Sequence, residues 1–122
     1  MKLSYISKAY FLFLCVMPSL AYAGPSKSFI DACNATTGKL WSEEYLIKYS
    51  ADTNTEHNGI YVVSESGGVW RIPGAQYYPD NHIVNEAYKT ALIAVMTGMP
   101  VSLCATESTT PNEIWSIEIR NK

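Results

Sequence analysis

The longest amphipathic pattern of this chain lies between residues 83 and 96. Apolar residues recur there at helical spacing, namely Val84, Ala87, Tyr88, Ala91, Leu92, Val95 and Met96. We therefore predict a helix over residues 83–96 that buries this set as one face. Asp80 or Asn81 precedes it as a candidate N-cap, Gly98 stands near the favoured C′ position, and Pro100 prevents the helix from resuming.

Shorter patterns predict β-strands on both sides of this helix. Residues 60–63, 69–72, 101–105 and 114–119 are short apolar or alternating runs, and β-branched residues recur in them. Residues 36–49 have a similar character and are interrupted at Glu43–Glu44, which predicts two further strands. Turn-forming residues fill 51–59 and 64–68, so the strands at 60–63 and 69–72 are predicted to form a hairpin.

The last predicted strand alternates strictly between apolar and polar character. Trp115, Ile117 and Ile119 fall on one face, and Ser116 and Glu118 fall on the other together with Ile114. This pattern places Trp115 on the apolar face, and we predict for it a role in the core or in an interface.

Together these elements predict a mainly β domain with one long helix. Six short strands, a short N-terminal helix at 26–33 and the helix at 83–96 pack most economically as a small barrel plugged by the helix. That arrangement is an OB-fold. Such a sheet has free edges, and the long helix is apolar over more of its circumference than one packing face needs. Both features predict an oligomer in which strands pair across subunits.

The first 23 residues have the features of a secretory signal peptide. Lys2 and Lys8 give a positive start, residues 9–17 are apolar, and Ala21-Tyr22-Ala23 supplies the small residues that a signal peptidase recognises. We predict cleavage after Ala23, which leaves one mature domain over residues 24–122. The apolar stretch is too short to span a membrane stably.

Two cysteines, Cys33 and Cys104, remain in the predicted mature chain. In an oxidising compartment two cysteines most simply form one disulfide. The alternative is a free, reactive or metal-binding pair, but no further ligand residues stand near either cysteine in the sequence. A disulfide closing a loop of about 70 residues contributes about 4 kcal/mol on the chain-entropy model.

The net charge and the sequence motifs argue against two classes of function, nucleic-acid binding and catalysis. Loss of Lys2 and Lys8 takes the formal charge from −2 to −4, which argues against binding to nucleic acid. His57 and His82 lie in different loops, and neither belongs to a metal-binding or nucleophile motif. We therefore predict no enzyme activity, no cofactor and no metal. Hydroxyl and amide side chains concentrated in the loops suit a binding module for sugars, but composition alone does not distinguish such a module from ordinary polar loops.

Six segments, in order along the chain, resemble one known family. They are CNATT (33–37), GIYVVS (59–64), GGVWRIPG (67–74), YPDN (78–81), SLCA (102–105) and TPNEIW (110–115). On these segments the mature chain resembles the B subunits of the heat-labile enterotoxins, most of all their type II branch, with cholera toxin B as a more distant relative.

The resemblance implies an OB-fold with a Cys33–Cys104 disulfide, assembled as a ring-shaped homopentamer. The long helix would line a central pore through Glu86, Lys89, Leu92 and Met96. The ring would bind host gangliosides or other sialylated glycans and carry one catalytic A subunit, an ADP-ribosyltransferase or another enzyme. It would be secreted through the periplasm of a Gram-negative bacterium and act at the host cell surface.

Glycan-binding residues carry over unevenly from the family. Adjacent threonines after the first cysteine match Thr36 and Thr37, whereas a third threonine of the type II branch falls on His57. Thr106 stands where cholera toxin B has its galactose-stacking tryptophan, so that platform is absent. Gln76, Tyr77 and Tyr78 lie where the cholera-type sugar loop would be. Two other classes remain open from the residues alone: an exported OB-fold binding module, and a small enzyme or inhibitor unrelated to toxins.

Overall fold

The computed structural model of the protein describes residues 24–74, 81–107 and 109–121. In these ranges the elements are α1 (Lys27–Asn34), β1 (Lys39–Glu44), β2 (Leu46–Asp52), β3 (Gly59–Ser64), β4 (Val69–Pro73), α2 (Asn81–Thr97), β5 (Val101–Ala105) and β6 (Asn112–Ile119). The predicted number and order of elements are confirmed. β2 runs further than expected, through Ala51 and Asp52. No helix in the described ranges is long and apolar enough to cross a membrane.

The six strands form one sheet in the order β1-β5-β6-β4-β3-β2. Neighbouring strands run antiparallel, except that β4 and β6 are parallel where Trp70 pairs with Asn112 and Arg71 with Glu113. β1 and β2 therefore form the two edges of the sheet, although only Tyr45 separates them in the chain. The predicted OB-type packing is confirmed, with the barrel open between these edges.

Helix α1 begins on a serine cap that is anchored to the last strand. The Ser26 hydroxyl accepts a hydrogen bond from the Phe29 N–H at 3.2 Å, which satisfies one of the free donors of the first turn. The same residue donates its N–H and its hydroxyl to the Glu118 carboxylate on β6, at 2.9 and 2.6 Å. Because Pro25 is also buried, the domain is packed from its first described residues onward.

Helix α2 buries a narrower face than the sequence predicts. Val84, Ala91 and Ala94 are buried, and Ala87, Tyr88 and Val95 pack against the core. Leu92 and Met96, predicted on that face, are exposed instead. They follow Val84 by eight and twelve residues, which at 3.6 residues per turn rotates them by roughly 80° and 120° away from it. The helix ends where the Gly98 N–H bonds the Ala94 carbonyl at 3.0 Å, with Gly98 at φ 72°.

The core lies between α2 and the concave face of the sheet. Trp70 is buried in this core, and the partly buried Trp41 packs against it edge to face, with ring centroids 5.7 Å apart. The other buried apolar residues are Leu46, Ile60, Val62, Ile72, Val101, Leu103, Ala105 and Ile114. β5 is buried along its whole length, so the strand that carries Cys104 is the centre of the fold.

The alternation predicted for β6 breaks at Trp115. Cys104 pairs with Ser116 while the next residue, Ala105, pairs with Ile114, so Trp115 is an extra residue in the ladder. This irregularity turns Ile114 into the core and leaves Trp115 44% exposed. Ile117 and Ile119 keep the predicted inward face. The prediction of a core role for Trp115 is therefore wrong, whereas an interface role stays a prediction.

Gly59 starts β3 in a conformation that a larger residue does not tolerate. Its φ is +140°, and a Cβ placed there would lie 2.3 Å from the Ile72 carbonyl oxygen. We expect Gly59→Ala to lower the free energy of unfolding by ~2 kcal/mol or more, measured by chemical denaturation. Gly67 is the matched control, because its φ is +93° but a Cβ there meets nothing within 4 Å. Equal losses for the two variants would show that the contact with Ile72 is unimportant.

Candidate functional site

The loop of residues 36–38, between α1 and β1, is organised by one threonine hydroxyl. Thr36 Oγ1 donates to the Cys33 carbonyl at 2.7 Å and accepts the Gly38 N–H at 3.0 Å. The Thr36 N–H also donates to the Cys33 carbonyl, at 2.9 Å. The exposed Thr37 side chain is carried between these two fixed points. Both threonines that match the type II pattern therefore lie on one ordered surface loop.

The predicted disulfide lies directly beneath this loop. Cys33 and Cys104 are bonded, with their Cα atoms 5.7 Å apart, and each is 1% exposed. Thr36 Oγ1 lies 3.8 Å from Cys104 Sγ. The disulfide thus joins the end of α1 covalently to β5 and restrains the loop that packs on it.

Trp115 forms one wall of the same surface. A Cβ built on Gly38 would lie 3.0 Å from two atoms of the Trp115 ring and 3.1 Å from Cys104 Sγ. The indole therefore packs against the backbone of residue 38 while much of it stays open to solvent. The alternating pattern of the last strand did not indicate that the Trp115 side chain is exposed. The signal that points to it is Gly38, since a glycine beside a disulfide permits an aromatic ring to approach the backbone closely.

Thr106 lies at the same end of the β1–β5 pair as this loop. Lys39 pairs with Ala105, and its ammonium group lies 3.6 Å from the Glu107 carboxylate. Thr106 Oγ1 accepts the Glu113 N–H at 2.9 Å and lies 2.8 Å from the Thr109 hydroxyl. Its hydroxyl therefore restrains the loop before β6, which lies at the border of this surface.

His57 lies in the turn between β2 and β3, which joins the opposite edge of the sheet. Asp52 and Asn54 accept backbone N–H groups two residues ahead, at 2.8 and 2.9 Å, and shape the turn. The Tyr61 hydroxyl donates to the His57 carbonyl at 2.8 Å, and the His57 side chain is exposed. One subunit therefore does not place His57 beside Thr36 and Thr37. Gln76, Tyr77 and Tyr78 lie outside the described residues.

A cleft of about 350 Å³ opens beside that turn. It is lined by Ala51, Asp52, Thr53, Asn58, Gly59, Ile60, Gly74 and Tyr88. Arg71 fixes its rim by donating Nε and Nη2 to the Asn58 carbonyl at 3.0 and 2.6 Å. The Tyr88 hydroxyl donates to the Pro73 carbonyl at 2.9 Å, and burial raises the pKa of Tyr88, with Tyr49 nearby adding to the effect.

The four residues predicted to line a pore all lie on the exposed side of α2. Glu86 and Lys89 form an ion pair at 3.2 Å with both side chains largely in solvent. Leu92 is 40% exposed, and Met96 is 77% exposed. Ile93, one residue after Leu92, is a further exposed apolar side chain of the helix, at 48%. The described part of one subunit leaves this face of the helix uncovered.

The fold and the surface define a class: a small disulfide-bonded β domain that presents hydroxyl-rich loops and an exposed indole. The described residues contain no group of three side chains placed to hold a metal ion. The family model described as Type II heat-labile enterotoxin, B subunit (LT-IIB), matches residues 1–122. The chain belongs to this family of enterotoxin B subunits.

Two curated relatives support this assignment. The B chain of heat-labile enterotoxin IIA from Escherichia coli is 45% identical over 111 residues, covering 91% of this chain and 90% of the relative. The B chain of heat-labile enterotoxin IIB from Escherichia coli is 44% identical over 119 residues, covering 98% of each. The prediction of a toxin B subunit is therefore confirmed, and the alternative of a module or inhibitor unrelated to toxins is not supported.

A solved structure shows the same fold at low sequence identity. The chain superposes on a chain of the GM1-bound ECX AB5 holotoxin with a TM-score of 0.67 and 22% identity, covering 80% of this chain and 98% of that one. Membership in a B-subunit family makes this the binding chain of a secreted bacterial enterotoxin that acts at the host cell surface, and not its catalytic chain.

Proposed function

We propose that five copies of this chain form a ring that binds the glycans of host gangliosides, or other sialylated glycans, and carries one catalytic A subunit. The observation that carries the proposal is the hydroxyl-rich loop of residues 36–38 beside the exposed indole of Trp115. The GM1-bound AB5 holotoxin is a precedent in the same fold for both the assembly and the ligand class.

Unpaired edges support the ring. β1 and β2 terminate the sheet at opposite ends, and an exposed edge strand is normally paired or covered in a stable protein. Ile47 on β2 is 52% exposed, and Tyr45 beside it is also open to solvent. In a closed ring the β1 edge of one copy meets the β2 edge of the next, which continues the sheet around the assembly.

The exposed face of α2 supports a central pore. In the ring this face turns towards the axis, where Leu92 and Met96 pack against neighbouring helices and Glu86 and Lys89 line the opening. Contiguous exposed apolar residues of this kind mark an interaction surface. We propose that the tail of the A subunit enters this pore. That subunit is an ADP-ribosyltransferase or another enzyme.

The ring also explains the separation of the predicted sugar-binding residues. Thr36 and Thr37 adjoin the β1 edge, whereas His57 adjoins the β2 edge. Pairing of these edges between copies brings the loop of one subunit towards the His57 turn of its neighbour. A threonine hydroxyl of this loop and the imidazole then bond sugar hydroxyls, and the Trp115 ring offers an apolar face to sugar C–H groups. Gln76, Tyr77, Tyr78 and Thr106 complete the proposed surface.

We further propose that residues 1–23 are removed during export through the periplasm. The burial of Pro25 and the bonds of Ser26 to Glu118 support a domain that starts immediately after Ala23. N-terminal sequencing of the secreted protein tests the cleavage site. A chain that begins at any residue other than Gly24 contradicts it.

Glycan-array binding of the non-reduced ring tests the function. We expect sialylated ganglioside glycans to bind, and Thr37→Val to weaken binding by about tenfold or more. The variant removes one hydroxyl per site, and multivalent binding amplifies that loss across the ring. Thr90→Val is the matched control, since it removes a threonine hydroxyl on α2 that bonds the Glu86 carbonyl. Unchanged binding by Thr37→Val removes this residue from the site, and no glycan signal from the wild type overturns the function.

A further inference from the structure

We propose that the two adjacent threonines divide the work of the glycan site: Thr36 is a positioning residue that holds the loop, and Thr37 makes the contact. This inference rests on the proposed function. A hydroxyl group has one proton to donate and two lone pairs. Thr36 has already given its proton to the Cys33 carbonyl at 2.7 Å and one lone pair to the Gly38 N–H at 3.0 Å. It therefore has no proton left for a sugar oxygen.

The position of the Thr36 hydroxyl gives it control over the whole loop. It connects the last turn of α1 to the residue that precedes β1, so a single oxygen spans the turn between the two elements. Without this oxygen the Gly38 N–H loses its partner, and the Gly38 end of the loop is no longer tied to the Cys33 carbonyl, although the backbone bond from the Thr36 N–H to that carbonyl remains.

The effect of Thr36 extends to Trp115 through Gly38. The indole packs so closely on Gly38 that a Cβ there would lie 3.0 Å from ring atoms Cε3 and Cζ3. A change in the position of the residue 38 backbone therefore moves the surface on which the ring rests. The Thr36 hydroxyl thus sets the placement of the exposed aromatic face as well as that of the loop.

Thr37 differs from Thr36 in its hydrogen bonding. Both residues are exposed, but the Thr37 hydroxyl makes no hydrogen bond within the described part of the chain, whereas the Thr36 hydroxyl makes two. Both its proton and its lone pairs are free for a ligand. A hydroxyl without an internal partner, held on an ordered loop beside an indole, is suited to direct recognition of a sugar hydroxyl.

Three variants of the full mature ring separate the two roles: Thr36→Val, Thr36→Ser and Thr37→Val. For each variant we measure binding to ganglioside glycans. In the absence of ligand we also measure hydrogen exchange of the Gly38 amide and the NMR shift of the Trp115 indole N–H. We expect Thr36→Val to accelerate Gly38 exchange, to shift the Trp115 signal and to weaken binding by about tenfold. Thr36→Ser keeps the hydroxyl and all three wild-type values.

Thr37→Val is expected to weaken binding while leaving Gly38 exchange and the Trp115 signal unchanged. Thr36→Ala repeats the comparison with a smaller side chain, so the test survives if valine hinders folding. Weak binding by Thr36→Val with unchanged Gly38 exchange overturns the inference, because it shows a direct contact. Full binding by Thr36→Val overturns it as well. A wild type that binds no glycan overturns the proposed function, whereas Gly38 exchange still decides whether Thr36 orders the loop.

Discussion

Replacing Cys33 and Cys104 together with alanine is expected to lower the free energy of unfolding by about 4 kcal/mol. The two residues are 71 positions apart, and the loss of a constraint over so long a loop greatly enlarges the unfolded ensemble. A domain of about 100 residues has a total stability of only about 5–15 kcal/mol, so this loss removes a large part of it.

Guanidinium denaturation of the oxidised wild type, the reduced wild type and the double variant measures this effect. The one other cysteine of the sequence, Cys15, lies in the predicted leader. The processed wild type therefore has no further thiol that affects the comparison. Reduction and double substitution are expected to give similar losses. A double variant as stable as the oxidised protein would show that packing of α1, and not the disulfide, holds the loop of residues 36–38.

Ile47→Asp is expected to convert the ring to single subunits without unfolding them. Ile47 is half exposed in one subunit, so the fold tolerates a polar side chain there. In the proposed ring the same position, on the β2 edge, faces a neighbouring copy. Burying a carboxylate without a partner costs several kcal/mol at each interface, and burial of the exposed half of the isoleucine side chain, worth about 1 kcal/mol, is lost too.

Native mass spectrometry of the variant measures the number of subunits, and circular dichroism checks the fold. Asn121→Asp is the control, because it adds the same charge at an exposed position near the C-terminus. It is expected to keep the mass of five subunits. A pentamer formed by Ile47→Asp would place the subunit contact away from the β2 edge.

The elements that the sequence predicts well are those whose signal is local. The α2 stripe, the turn residues between β3 and β4, and the β-branched runs each depend on neighbours within a few positions. The misassignment of Leu92 and Met96 has the same origin. A contiguous apolar pattern shows that these residues avoid water, but it does not show whether their own subunit or another one covers them.

The features that escaped sequence reasoning depend on contacts between distant residues. The irregularity at Trp115 arises from the register of β5 against β6, which strict alternation cannot reveal. The bonds between Ser26 and Glu118 join residues 92 positions apart. The sequence pattern places Thr36 and Thr37 in the predicted glycan site without distinguishing them. Only the distances from the Thr36 hydroxyl to Cys33 and Gly38 distinguish their roles.

The long-range anchoring of the N-terminal segment constrains the order of events during biosynthesis. α1 and β1 emerge first, yet Ser26 bonds Glu118, Cys33 bonds Cys104, and β1 pairs with β5. These contacts of α1 and β1 therefore form only after nearly the last residues have left the ribosome and the export machinery. Oxidation of the thiols is consequently a late event that acts on an almost complete chain, and folding is governed by non-local contacts that form slowly.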